Sequence, residues 1–489
     1  MYGGKDGNYC FWQIKKRLYN EVTISLILPT VKQSSDLVVS ATDLFYMQRN
    51  ITKQVLVLLE IIVFCTPMYA NVYYVATNGN NTNNGSITQP FATIQQAQNV
   101  VNAGDTVYVR GGKYFMQNDM VAKQERLWLY ITALTKSGTP NKRINYWAYP
   151  NEQPVFDCSA IKSSDYRVIA FFVSGSWLHI KGLEVTGVQV GIKTHTQSEC
   201  FENQGSNNIY EGLSMHDGMA IGIYLIGGAN NLFLNCDAYN NWDYYSENGR
   251  GGNTDGFGCH PKKGDVGNVF RGCRAWFNSD DGFDLINSHE SVTFDHCWAM
   301  YNGFSSDFKS QGDGNGFKAG GYGKTPVDKL PNPIPSHVIQ FCLAVRNKAN
   351  GFYANHHIVG NKWYNNSAYG NTVNFNMLSR LPDNVTDVDG YGHLLRNNLG
   401  YNGKKETDKI DTTKCDLANN YFTLPVTVSK SDFISLNEQE LLRPRQADYS
   451  LPVIQFMHLT AKSNLIDKGV NIGFQFAGKA PDFGAFEYQ

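Results

Sequence analysis

Residues 267–285 read GNVFRGCRAWFNSDDGFDL. The centre of this stretch, RGCRAWFN (271–278), is one of five related octapeptides. The others are LNCDAYNN (234–241), DHCWAMYN (295–302), QFCLAVRN (340–347) and YNNSAYGN (364–371). Aligned, they place Cys236, Cys273, Cys297, Cys342 and Asn366 in one column. Ala238, Ala275, Ala299, Ala344 and Ala368 form a second column, and Asn241, Asn278, Asn302, Asn347 and Asn371 a third. The step from Cys273 to Cys297 is 24 residues, and so is the step from Cys342 to Asn366. A second signature follows each octapeptide: DGF at 255–257 and 281–283, NGF at 315–317 and 350–352, NF at 374–375. Phe283 and Phe352 each lie ten residues after the Cys column. In two other coils about ten extra residues, 242–254 and 303–314, enter between the Asn and Phe columns. They are expected to emerge on one edge.

A repeat of this length without helical spacing predicts one coil of a parallel β-helix, with about three short strands per coil. Coils stacked ~4.8 Å apart lay identical side chains over one another. Phe is expected inside, Cys and Ala in narrow interior places, and Asn at a bend that tolerates the left-handed conformation. The stacked thiols read as small buried hydrophobes rather than disulfides, because Cβ atoms ~4.8 Å apart are too distant for a relaxed bridge. Open ends of a solenoid need covers. Residues 91–101 read as an amphipathic capping helix, followed by a strand at 106–110. Residues 464–489 read as an end cap or last turn.

Composition agrees. The chain has 489 residues, 42 Lys+Arg against 43 Asp+Glu, a net charge of -1, and only 17% charged residues. With 46 Gly and 13% aromatics it is neither an extended disordered chain nor a coiled coil. A balanced charge supplies no field to recruit nucleic acid. Residues 55–64 (VLVLLEIIVF) are apolar but too short to span a bilayer. Arg49 and Lys53 precede them and MYA (68–70) follows, the layout of a signal peptide cleaved after Ala70. The expected organisation is therefore a stretch at 1–46 that arises from start-codon choice or is a disordered leader, a signal peptide at 47–70, and one β-helix domain at 71–489. The mature protein is expected to be an exported monomer, secreted, periplasmic or on the surface of a bacterium.

Acidic residues are sparse, yet Asp255, Asp280, Asp281 and Asp284 fall in two consecutive coils. Asp255 and Asp281 both stand two before the Phe column, so register stacks them. Carboxylates this close do not all stay ionised without a cation. A set of hard oxygen ligands without His or Cys favours Ca²⁺. A turn-making role for each single Asp is the competing reading. Lys318 follows Phe317 as Asp284 follows Phe283, so it sits one coil beyond Asp284 in the same outward column. Beside a dication its amine is equipped to abstract a proton α to a carboxylate. On spacing alone, an Asp–Lys surface pair accounts for it equally well.

DGF (255–257), GNVFRGCRAWFNSDDGFDL (267–285) and NGFKAGG (315–321) together resemble the core motifs of polysaccharide lyase family 9, a pectate-lyase-like family on a right-handed parallel β-helix. The opening at 73–114 and the closing DKG…APDFGAFEY resemble it too, so the likeness spans roughly residues 72–489. The resemblance implies an all-β right-handed parallel β-helix with an N-terminal capping helix. It implies Asp255, Asp280, Asp281 and Asp284 as Ca²⁺ ligands and Lys318 as the base of a β-elimination on an acidic pectic polysaccharide, polygalacturonate or rhamnogalacturonan I. Arg250, His260, Lys262, Arg274, Arg346 and Tyr353 lie on or near the same coils as candidates for holding the polymer, and Tyr244 and Tyr245 for stacking on sugars. Two other readings keep the scaffold: a polygalacturonase-like hydrolase using paired aspartates, which leaves Lys318 without a role, and a non-catalytic glycan-binding β-helix.

Overall fold

The computed structural model describes residues 70–488. The proposed leader and all but the last residue of the proposed signal peptide lie outside them. Among the described residues no helix is long and apolar enough to cross a membrane.

The period is realised as stacked coils, each giving one strand to each of three sheets. One coil runs Asn268–Arg271, Arg274–Trp276 and Phe283–Asp284. Among the described residues the sheets stack 12, 10 and 11 strands. Neighbouring coils pair in parallel, and Ala238, Ala275, Ala299, Ala344 and Ala368 are consecutive partners in the second sheet. In the third sheet Phe257, Phe283, Phe317, Phe352 and Phe375 are consecutive partners. Their rings stack at centroid spacings of 4.9, 4.8, 5.1 and 5.0 Å. The Phe column is thus a continuous interior stack, at the spacing aromatic pairs prefer. Cys236, Cys273, Cys297 and Cys342 are buried free thiols. They donate to backbone carbonyls, as Cys273 does to Phe233 at 3.3 Å.

The Asn column departs from expectation. The left-handed residue at the bend is the one before it: Asn240, Phe277, Tyr301, Arg346 and Gly370 have φ of 52°, 53°, 56°, 47° and 66°. The column asparagines themselves point inward, fully or almost fully buried. Each side-chain amide donates to the Oδ1 of the next, at 3.1, 3.1, 3.0 and 3.1 Å. A short amide with one donor and one acceptor along the axis satisfies its neighbours in an otherwise apolar interior, where an unpaired polar group would be costly.

The N-terminal helix is Ile94–Val100, with the Thr93 hydroxyl accepting from the Gln96 N–H. Its Ile94 and Ala97 are buried over the first coils. Residues 464–489 are not an end cap: they lie along the bend between the first and second sheets, where the Asn365 and Asn397 amides donate to the carbonyls of Asp482 and Val470 and Phe474 packs on Phe341 and Tyr364. The chain before them forms a strap on the outer face of the second sheet: Phe433 packs on Tyr401, Phe456 on Tyr369, and the Arg274 guanidinium donates to the carbonyls of Leu441 and Arg443. This strap leaves the third sheet's outer face uncovered.

A second inward ladder, just before the first-sheet strands, uses His337, Asn361 and His393. The His337 N–H donates to Asn361 Oδ1 at 2.9 Å, and the Asn361 N–H to His393 Nδ1 at 2.9 Å. His357 packs on His337. Burial holds all three neutral: His357 is pushed down to about 4, His393 to about 3, and His337 lower than its usual range. The unfolded chain binds protons at these sites that the folded one refuses, so stability is complete above about pH 6.5 and falls as pH drops toward 4. His357 alone contributes roughly 3 kcal/mol over that window. Thermal melts should show the midpoint dropping from pH 7 to 4.5. His393→Asn, which supplies the acceptor used elsewhere in such ladders, should make the slope shallower, and an unchanged slope counts against this origin.

Candidate active site

The two extra segments emerge at the same bend and meet there, as their positions imply. The Ser279 hydroxyl donates to the Gly251 carbonyl at 2.7 Å, and the Asp313 N–H to Asp280 Oδ1 at 3.0 Å. Asp280 is therefore aimed by the second segment. Asp255 and Asp281 occupy a side-chain ladder that continues as Asn315 and Asn350. The Asp281 N–H donates to Asp255 Oδ1 at 3.1 Å, the Asn315 N–H to Asp281 Oδ1 at 2.7 Å, and the Asn350 N–H to Asn315 Oδ1 at 3.3 Å. One oxygen of Asp255 and of Asp281 does the turn-making work of an asparagine. The glycine between is obligatory, because a Cβ at Gly282 would lie 2.7 Å from the Gly316 carbonyl oxygen and 2.8 Å from Asn302 Nδ2.

Asp255, Asp280 and Asp281 converge, with carboxylate oxygens all within 4.8 Å of one another. Asp284 is not in that trio. It faces outward one residue past Phe283, accepting from the Ile286 N–H at 2.7 Å. Lys318 bridges the two groups, with Nζ 3.0 Å from Asp281 Oδ2 and 3.0 Å from Asp284 Oδ2. The lysine is the partner strand's residue to Asp284, as register requires.

The electrostatics are those of a site short of positive charge. Burial, then repulsion from its neighbours, raises Asp255 and Asp280 well above the usual carboxylate range, and Asp281 rises for the same reasons despite Lys318. Burial alone would lower Lys318, but the four aspartates outweigh it and hold the ammonium well above its ordinary value. One cation thus serves four carboxyl groups. Asp281 Oδ2 is buried and meets the Lys318 ammonium at 3.0 Å, an ion pair without hydrogen-bond alignment. Hard oxygens in excess of the one cation, and their mutual repulsion, fit a divalent cation of the Ca²⁺ type.

The outward column of the third sheet runs Glu202, Tyr224, Gly258, Asp284, Lys318, Tyr353 and Asn376. Gly258 makes room for the Tyr224 ring, since a Cβ there would lie 2.5 Å from it. Tyr353 follows Lys318 directly in that column. His260 stands at the strand's end, its Nδ1 2.9 Å from the Tyr224 hydroxyl, with burial pushing it down to about 4. Lys262, next along, is exposed at that edge, and Arg250 is exposed on the first extra segment. Two candidates lie elsewhere. Arg274 points out of the second sheet, pairs with Asp237 at 2.7 Å and is covered by the strap. Arg346 is the left-handed residue of its bend and pairs with Glu438 of the strap at 3.3 Å. Both were placed by coil number, which does not say which of three faces a residue occupies. Arg380, which the repeats do not single out, pairs with Asp387 at 2.8 Å; it lies in a short antiparallel pair, Ser379–Arg380 with Asp387–Val388, after the last Phe-column coil.

Residues 73–398 match the family described as "Pel9A-like, right handed beta helix region". Pectate lyase L of Dickeya chrysanthemi is 33% identical over 423 residues, covering 85% of this chain and 90% of the relative. Among solved structures, one titled rhamnogalacturonan lyase is 44% identical with a TM-score of 0.77, covering 80% of this chain and 97% of its own. Pectate lyase Pel9A is 30% identical with a TM-score of 0.70, covering 86% and 98%.

Proposed function

The chain belongs to the Pel9A-like right-handed β-helix family and is a polysaccharide lyase, and from that premise we propose that it cleaves an acidic pectic polysaccharide by Ca²⁺-dependent β-elimination with Lys318 as base. The observation that carries the reading is the amine of Lys318, 3.0 Å from Asp281 and Asp284 at the mouth of a three-carboxylate cluster. Asp255, Asp280, Asp281 and Asp284 would hold the cation, which would supply charge to bind a uronate carboxylate and acidify the hydrogen beside it. Lys318 would then no longer serve as their counter-ion, and its amine takes the C5 proton. The C5–H electron pair becomes the C4–C5 double bond, and the C4–O bond breaks with its pair on oxygen, which is protonated by water. Tyr353 and Tyr224 line the outward column on either side of the reacting groups, with Lys262 and Arg250 at the rims to attract the polyanion. Export by residues 47–70 and action as a monomer complete the proposal.

Of the two pectic backbones, rhamnogalacturonan I is favoured, because the rhamnogalacturonan lyase structure is the more similar of the two in identity and TM-score. Incubation with each polymer distinguishes the readings. Ultraviolet-absorbing unsaturated product should form faster from rhamnogalacturonan I than from polygalacturonate. New reducing ends without that absorbance would mean hydrolysis, and binding without cleavage a lectin-like role.

A further inference from the structure

The first extra segment does more than deliver Asp255. Trp242, Tyr244 and Tyr245 are 40%, 57% and 40% exposed. No other three exposed aromatic side chains lie so close in sequence among the described residues. Exposed apolar groups of this size on a rigid frame mark a binding surface. The frame is rigid here. Asp243, 1% exposed, accepts from the N–H groups of Tyr245 and Ser246 at 2.9 Å each, and its own N–H donates to the Thr254 hydroxyl at 3.2 Å. The Glu247 N–H donates to the Lys193 carbonyl at 2.8 Å, tying the segment to the preceding coils. Two tyrosines are thus presented to solvent by a loop whose buried polar groups are paired.

Tyr244 and Tyr245 line a shallow concavity over the bends of earlier coils, with Lys162, Ser163, Gln189 and Met219. The concavity sits at the bend leading into the third sheet, beside the outward column that includes Asp284 and Lys318 rather than on it. Resting on the polysaccharide reading above, we propose that this platform is a second glycan-binding site that takes neutral sugar residues branching from the polymer held in the groove. A pyranose offers an apolar C–H face to an aromatic ring and hydroxyls to the amide and hydroxyl groups around it, and the lining has both. Its one charged group, Lys162, is too little to select a uronate. Continuity with the groove, through the segment that carries Tyr244 and leads directly into Asp255, sets a branch and not a free sugar as the occupant.

Affinity electrophoresis tests this with the Lys318→Ala protein, which leaves the polymer uncut. Gels contain rhamnogalacturonan I bearing neutral galactan branches, the same polymer debranched, or linear galactan. Adding Tyr244→Ala and Tyr245→Ala should weaken retardation by branched polymer and by galactan about tenfold, with retardation by debranched polymer unchanged. Circular dichroism checks folding, and Tyr244→Ala alone serves if the double change misfolds. Unchanged retardation by branched polymer overturns the proposal, as does equal loss on the debranched backbone, which would make the tyrosines a main-chain subsite. If wild-type protein forms no unsaturated product from any polymer, the lyase reading fails while the galactan gels still decide the platform.

Discussion

Lys318→Ala should lower formation of unsaturated product by roughly 10³-fold or more while the β-helix stays folded. Phe317, not Lys318, occupies the core stack, and the lysine side chain only reaches outward from it. What the substitution removes is the one cation among four carboxyl groups. Without calcium the variant should therefore melt below wild type, because Asp281 and Asp284 lose their counter-charge. With calcium the difference should shrink. Lys318→Arg separates chemistry from charge. It restores a cation near Asp284, but a guanidinium does not give up its proton at working pH. If Lys318 is a base, the arginine variant stays as inactive as the alanine variant. Recovery of activity in the arginine variant would assign Lys318 an electrostatic role only. The readouts are ultraviolet absorbance for product and near-ultraviolet circular dichroism for packing.

Asp255→Asn should raise the melting temperature in chelator and abolish most of the calcium-induced rise. The ladder accepts the change, since Asn315 Oδ1 already accepts the Asn350 N–H as Asp255 Oδ1 accepts the Asp281 N–H. One of three repelling buried carboxyl groups disappears. Relief of that repulsion should lift the calcium-free midpoint by roughly 1–3 °C. Loss of a charged ligand should weaken calcium binding, and with it activity at fixed calcium, by about 100-fold. A calcium-free melt lower than wild type would show that Asp255 is a structural turn residue first. An undiminished calcium shift would remove it from the ligand set. Scanning calorimetry across calcium concentrations reads both effects.

These expectations rest on positions that were legible from the repeats alone. Stacked coils make register a property of short sequence: Phe257, Phe283 and Phe317 declare one column, and counting from it places Asp255, Asp281, Asp284 and Lys318. That both extra segments share an edge follows from where they interrupt the count. What counting did not supply was face and partner. Arg274 lies on the right coil but on the second sheet, against Asp237. The left-handed bend falls one residue before each column asparagine, because the amide is worth more paired inside than solvated at a corner. The strap that covers Arg274 and engages Arg346 has no period, so nothing local announces its route. Asp284 stands apart from the trio because Lys318 lies between them. The histidine ladder breaks the asparagine pattern and so stayed hidden, though His337 and His393 each precede a first-sheet strand as Asn361 does.

The central claim is that a bound cation in the aspartate cluster and the amine of Lys318 together perform an elimination. Its most direct test is a single absorbance trace on rhamnogalacturonan I, first with calcium, then with excess chelator, then with calcium restored. The expected trace rises, stops and resumes. A trace that keeps its slope through the chelator, or shows new reducing ends with no absorbance at any stage, would contradict it.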